Sequence, residues 1–331
     1  MVDVSHGGAS GAVLDRPREQ VRFRHIPRIR AQPQNFENKR ALYYLLIPLL
    51  YLSGLYVQIK ALVASAFGHV LHTNVWYVDG LSVNSRRVKD GAARWPALDA
   101  VYNFEQGEGS LSFVRWVDDM WLHVRNAQAV RNRLKIAKHE LRKAILATAQ
   151  SIWENKERAR PIRLLSLAAG SAQGVLEVVA ELQKEGINVE VVLVDHDITA
   201  LSYAMSMAEQ LHVEQRVRVV ESDVTSFPKK ARGFEPDIIE MLGLLDYCRT
   251  SLAIALIKRI WVNLPKGGFF LTCHVHPNHE SYFLHHVVNW RMLYRTRGEL
   301  EDLLTEGNFV GGVRLVTEPQ GIHTVAVARK V

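Results

Sequence analysis

Cysteine is scarce in this 331-residue chain, which holds Cys248 and Cys273 and no others. With no CxxC pair and a single conceivable bridge, neither a disulfide framework nor a cysteine-built metal centre organises it, and a reducing, cytoplasmic setting is expected. The first forty residues lack the apolar core of a secretory signal, so none is expected. Internal repeats and low-complexity tracts are missing too. The basic residues are not interleaved with aromatics as in an RNA-binding module. The formal charge of +7 therefore reads as a solvated surface, and no nucleic-acid partner is favoured.

The chain does have enough apolar residues, 48% against 23% charged, to build one large core or a catalytic domain with a smaller companion. Residues 1–35 read as a flexible basic tail; through Arg40 there are eight Lys/Arg against four Asp/Glu. Residues 36–160 read as a mainly helical domain serving as lid, substrate wall or dimer surface. Within it, ALYYLLIPLLYLSGLYV (41–57) is almost wholly apolar but meets Gln58 and Lys60 before the roughly 20 residues that a membrane-spanning helix needs. Three readings stay open: a buried helix or helical hairpin, a peripheral membrane contact, and a span. Residues 76–110 read as a long Gly-rich loop. Ser110–Asn155 reads as the longest helical region, with Phe113, Trp116, Val117, Met120, Trp121 and Val124 at helical spacing.

From Ile162 short β-branched runs alternate with helix-length segments, the signature of a parallel sheet covered on both faces. GGVRLVTEPQGIHTVAVARK, at the end, is two strands about a Glu318–Gly321 turn. The expected fold is α/β: a Rossmann-like seven-stranded sheet, mostly parallel, with an antiparallel last strand and an N-terminal helical domain.

Strand Leu164–Leu167 runs into Ala168-Ala169-Gly170-Ser171-Ala172-Gln173-Gly174 and then a helix. Small residues admit a close ligand, and the helix start offers free N–H groups. Alanine resists positive φ, so Ala168 and Ala172 are expected in α- or β-like backbone. The second strand ends in Asp195, twenty-one residues past Gly174, where a carboxylate accepts both ribose hydroxyls. The third leads to Asp223, placed to accept from an adenine amino group. The fourth opens at Asp237.

As an ordered set, these motifs resemble the class I S-adenosylmethionine-dependent methyltransferases over residues 160–330. SLAAGSAQG stands where that family has an acidic residue and GxGxG. LVDHDITALSYA, ESDVTSF and LPKGG match its later motifs, and the closing antiparallel pair is its hallmark. A dehydrogenase would need GxGxxG and a parallel sixth strand. The resemblance implies S-adenosylmethionine as cofactor, held by Ser166, Ala168, Gly170, Ser171, Gly174, Asp195, His196, Asp223 and Val224. Ser166 takes the usual acidic position, which implies another holder for the amino-acid end of the cofactor; Arg131 or Arg133 is the candidate, by a bidentate fork to its carboxylate.

The acceptor side is expected after the fourth and fifth strands. Tyr247 and Asp246 fall near the transferred methyl. His274 and His276, with Tyr247, are the catalytic candidates, one histidine as general base. His274, His276, His279 and Glu280 lack the helical spacing of a metal site, and no metal is expected. VVNWRMLYRT resembles a stretch in bacterial methyltransferases linked to fatty-acid methyl ester formation. That likeness puts Trp290, Tyr294 and Arg295 at the substrate, Arg295 holding a carboxylate. The leading reading is O-methylation of a hydroxyl or carboxyl on a small lipophilic molecule. RNA or protein methylation and a non-catalytic interaction module are the alternatives, and a homodimer through the helical layer is open.

Overall fold

A computed structural model describes residues 35–38, 43–69, 83–103, 122–154 and 160–331. The expected tail and the aromatic stripe from Phe113 to Trp121 lie outside the described residues.

Seven strands form one sheet: β1 (Ile162–Leu167), β2 (Val189–Asp195), β3 (Val217–Glu221), β4 (Ile238–Met241), β5 (Phe269–Val275), β6 (Val313–Thr317) and β7 (His323–Arg329). Their order is β3-β2-β1-β4-β5-β7-β6, parallel except for β7, which runs antiparallel to both neighbours. Strands β1, β2, β4 and β5 are buried on both faces, which is why they read as near-continuous apolar runs. The order reverses between β1 and β4, and the crevice beyond the strands' C-terminal ends opens there.

Alternation along each strand divides the core. One face carries Ile162, Leu164, Val191, Leu193, Ile238, Leu271 and Val327. Over it lie α4 (Arg125–Glu154), α5 (Gln173–Lys184) and α6 (Ile198–Gln210). The other face carries Leu165, Leu167, Val192, Ile239, Met241, Phe270 and Ala326 beneath α7 (Thr250–Asn263) and α9 (Arg297–Glu306). Helix α4 is no separate appendage, because Leu141, Ile145 and Ala149 share their cluster with β1. Burying such an aliphatic side chain is worth about 1.5–3 kcal/mol.

The apolar stretch near residue 41 forms one helix, α1 (Tyr43–Ala66), continuous through Pro48 rather than a hairpin. Its stripe Leu50, Ser53, Gly54 and Val57 is buried against α8 (Ser281–His286). A side chain at Gly54 would strike the Tyr282 ring. Tyr282 stacks on Tyr51 at 5.1 Å and donates to Gln58 Oε1 at 2.6 Å. The opposite face is exposed at Leu52, Leu55, Ile59 and Leu62.

The expected loop at 76–110 holds two short helices among its described residues, α2 (Val83–Asp90) and α3 (Trp95–Tyr102). Eight residues give too few turns for a periodic signal, and Pro96 at the start of α3 reads locally as a breaker. Partners hold α3 in place. Trp95 stacks on Tyr203 at 4.6 Å and donates to Thr199 Oγ1 at 3.1 Å. The Tyr203 hydroxyl donates to Asp99 Oδ1 at 2.7 Å.

Candidate functional site

A cavity of about 300 Å³ opens at the strands' C-terminal ends, between the β1–α5 loop and the helical layer. Ala168, Gly170, Ser171, Gly174, Asp195 and His196 line one end. Apolar side chains wall the other, among them Val88, Leu98, Val101, Val124, Phe283 and Leu284.

The β1–α5 loop departs from the backbone expected of it. Ala168 and Ala172 sit at φ +50 and +51, flanking Gly170 at +54. Each left-handed alanine costs roughly 1–2 kcal/mol. Such conformations persist where surrounding contacts over-determine them, chiefly at ligand sites. Here Gly170 N–H donates to Asp195 Oδ2 at 2.8 Å, and Ala169 N–H to the Val194 carbonyl at 3.1 Å. Asp195 also accepts from Asp197 N–H at 2.9 Å, and His196 Nδ1 lies 3.2 Å from it. Its oxygens keep lone pairs for a pair of hydroxyls.

Ser166 is buried and does not line the cavity. It lies directly across from Glu240 in the β1–β4 register and donates to Glu240 Oε2 at 2.5 Å. Glu240 lines the cavity and also accepts from Leu242 N–H at 3.2 Å. The acid missing from β1 is thus present one strand over. Burial pushes the Glu240 carboxyl up to about 7, against the Ser166 and Leu242 hydrogen bonds and the Arg133 charge. No motif in the sequence points to Glu240; its one signal is that it is the sole acid in the apolar run Ile238–Met241.

Arg131 is not at the cavity. Its guanidinium forks onto Glu37, at 2.9 and 2.7 Å, and donates to the Leu122 carbonyl. Arg133, two residues on, points the other way around α4 and lines the cavity. Asp223 is exposed and accepts from Thr225 N–H at 2.7 Å, capping a short turn; neither it nor Val224 lines the cavity. Asp237 directly precedes β4, at the end of the strand away from the cavity, paired with Arg160 at 2.7 Å.

The histidine expectations fail for a reason of alternation. Cys273 and Val275 face α4, so His274 faces the opposite side of the sheet. Arg295 Nη1 donates to His274 Nε2 at 2.9 Å, leaving the ring proton on Nδ1, directed at Asp246. His276 is likewise used on both sides, donating to the Arg295 carbonyl at 2.7 Å and accepting from Thr324 Oγ1 at 2.6 Å. Neither ring lines the cavity or has a free lone pair for a substrate proton.

Arg295 is no substrate clamp either. It is buried and donates to the Leu245 and Cys248 carbonyls at 3.0 and 2.5 Å, pinning the segment after β4. Tyr294 packs against Ala129, Val275 and Ile322, outside the cavity. Glu280 accepts from the backbone N–H groups of Arg125 and Asn126 at the start of α4, at 3.0 and 2.7 Å. His274, His276 and Glu280 therefore diverge.

Three substrate-side expectations do line the cavity: Asp246, Tyr247 and Trp290. Trp290 Nε1 donates to Tyr247 Oη at 2.6 Å, and Asp246 accepts from Val275 N–H at 3.0 Å. Burial pushes the Tyr247 phenol above its ordinary range, so it keeps its proton. His323, the first residue of β7, also lines the cavity, and no motif in the sequence points to it. Glu318 places it, accepting from the N–H groups of Ile322 and His323 at 2.7 and 3.2 Å.

A family described as "Putative methyltransferase" matches residues 50–330. No curated protein matches the chain. A solved structure described as a possible exported protein from Bordetella parapertussis aligns with a TM-score of 0.60 and 16% identity, over 88% of this chain and 97% of that one. Magnesium protoporphyrin IX methyltransferase from Synechocystis PCC 6803, with bound SAM, aligns with a TM-score of 0.48 and 11% identity, over 74% and 95%. A putative O-methyltransferase from Nostoc punctiforme gives 0.43 and 17%, over 61% of each chain. With the family match spanning most of the sequence and the strand order of the sheet, the chain belongs to the putative methyltransferase family and has a class I methyltransferase fold.

Proposed function

We propose that the protein transfers a methyl group from S-adenosylmethionine to an oxygen, hydroxyl or carboxyl, of a small lipophilic molecule. The observation that carries this reading is the two-ended cavity, polar and loop-lined beside Asp195, apolar beside Val101 and Phe283. When bound, the cofactor supplies an electrophilic methyl group on a sulfonium. Asp195 accepts from its ribose hydroxyls. Glu240, oriented by Ser166, accepts from its ammonium group, in place of the acid that β1 lacks.

Methyl transfer forms a bond from the acceptor oxygen to the methyl carbon and breaks the carbon–sulfur bond, its electron pair staying on sulfur. The protein's part is to position the acceptor and exclude water, which the walls contributed by α3, α4 and α8 do. A hydroxyl must lose its proton along the way; a carboxylate has none to lose.

The test is calorimetric titration of S-adenosylmethionine and its demethylated product, S-adenosylhomocysteine, into wild-type protein and Asp195→Ala. Micromolar binding is expected in the wild type, weakened at least about tenfold in the variant, the scale of charge-assisted hydrogen bonds. A folded wild-type protein that binds neither compound would remove the reading.

A further inference from the structure

Arg133 is 5% exposed, yet no carboxylate pairs with it among the described residues. Its guanidinium donates to Tyr102 Oη at 2.8 Å and approaches Cys273 Sγ at 3.9 Å. These are a phenol and a thiol, and burial pushes the thiol up to about 12. The nearby acids are engaged elsewhere: Glu240 with Ser166 and Leu242, Asp246 with His274 and Val275. Asp246 stabilises its charge from nearby, but with no carboxylate in contact the buried guanidinium is placed to take an anion directly.

His323 stands on the same sheet face, 3% exposed, with Nδ1 buried and without a hydrogen-bond partner among the described residues. Burial, then the Arg133 charge and the rings of His276 and His274, hold its pKa well below the usual histidine range. It is a neutral ring with one N–H and one lone pair, a poor proton acceptor but a sound hydrogen-bond donor. Both side chains line the cavity.

We propose that Arg133 and His323 bind the carboxylate of the molecule to be methylated, so that the acceptor is an apolar carboxylic acid. The proposal rests on the methyltransferase reading above. Position in the sheet favours the acceptor over the cofactor as the source of the carboxylate. Asp195 ends β2 and the glycine loop follows β1, whereas Cys273 and His323 belong to β5 and β7, beyond β4. Val130, Val288 and Met292 lie in the same cavity and supply a wall for the acid's body. One fixed cation beside a neutral imidazole suits a single negative charge rather than a phosphate's two. The guanidinium presents a two-pronged face to a carboxylate, and the imidazole adds a third donor. A carboxylate acceptor also needs no base, and His274 and His276 supply none.

The test is calorimetric titration of octanoate and octanol, each with and without S-adenosylhomocysteine, into wild type, Arg133→Gln and His323→Phe. The wild type is expected to prefer octanoate by at least about tenfold. Arg133→Gln erases that preference, His323→Phe reduces it, and both keep wild-type affinity for S-adenosylhomocysteine. Measuring the acid without cofactor separates failure of this site from failure of the cofactor site. The proposal is overturned if the wild type does not prefer octanoate. It is also overturned if Arg133→Gln weakens S-adenosylhomocysteine but not methylthioadenosine, which lacks the amino-acid end, because the pair then serves the cofactor. Magnetic resonance of the wild type gives a readout free of any folding defect: octanoate raises the His323 pKa, and an unmoved pKa overturns the assignment.

Discussion

Helix α1 and the seam between α4 and the sheet invert the usual relation between composition and burial. Helix α1 is nearly all apolar, with Lys60 as its one charge, yet Leu52, Leu55, Ile59 and Leu62 face outward. The seam buries Asn126, Gln128, Asn132, Arg133, Glu240, Glu280 and His323. Partners decide the difference. Helix α1 packs through one stripe on α8, whereas α4 lies along β1, β5 and β7 and makes hydrogen bonds across the seam. A polar residue can be buried where its hydrogen bonds are satisfied, and an apolar residue stays exposed where nothing covers it. His323, whose Nδ1 finds no hydrogen-bond partner among the described residues, lines the cavity together with Asn126, Arg133 and Glu240.

The sharpest break in this contrast is Glu280→Ala. Glu280 receives N–H groups from Arg125 and Asn126 and the Asn126 side-chain amide, at 3.0, 2.7 and 2.5 Å. Removing the carboxylate orphans all three donors at a helix N-terminus. We expect a loss of about 3 kcal/mol, read by urea denaturation at pH 8. A loss below about 1 kcal/mol would mean that water replaces Glu280 and that the seam is wetter than its burial suggests.

Next in size is the pH dependence at Glu240. With its free carboxyl at about 7, the ionised form that accepts an ammonium becomes rare as pH falls. Affinity for S-adenosylhomocysteine should drop by about tenfold for each unit below 7 and level off above it, until the ligand's own ammonium titrates. In Glu240→Gln that acid limb should vanish and the plateau fall. A wild-type profile flat from pH 5.5 to 7.5 would show that Glu240 does not meet the ammonium.

Much of the architecture was legible because it is written in local periods. The strand runs, the closing hairpin, Asp195 at the end of β2 and the small-residue loop after β1 all lie where the sequence puts them. The site was less legible, because it depends on which strand residues share a face. His274 drew attention as part of a histidine cluster, but its parity turns it away from α4; His323 stands alone in the sequence, and its parity turns it inward. Glu240 carried a signal of its own, an acid in a strand otherwise fit for full burial. Arg131 and Arg133 are inseparable in the sequence, and it is Glu37, far away along the chain, that takes Arg131. Nothing local warned of left-handed alanines, since that backbone is held by Asp195 and Val194, more than twenty residues away.

The smallest effect is expected on α1, and its smallness is the informative part. Leu62 is 72% exposed, and a substitution to Ser removes apolar surface that the folded chain already shows to solvent. Stability should shift by no more than about 0.5 kcal/mol in thermal unfolding. A shift above about 1 kcal/mol would mean that something covers this face in solution, contrary to its exposure here. The stretch Ile47–Ala66 is long and apolar enough to cross a membrane by length and composition. Pairing Leu52→Glu with Leu62→Glu therefore adds a second reading at little expected cost to the fold. If the face rests on lipid, flotation with anionic vesicles is lost while the urea midpoint and S-adenosylhomocysteine affinity stay put. If it covers a second copy, the molar mass in light scattering halves instead. If neither changes, α1 is an apolar helix whose outer face needs no partner, and its sequence reflects only the stripe it packs on α8.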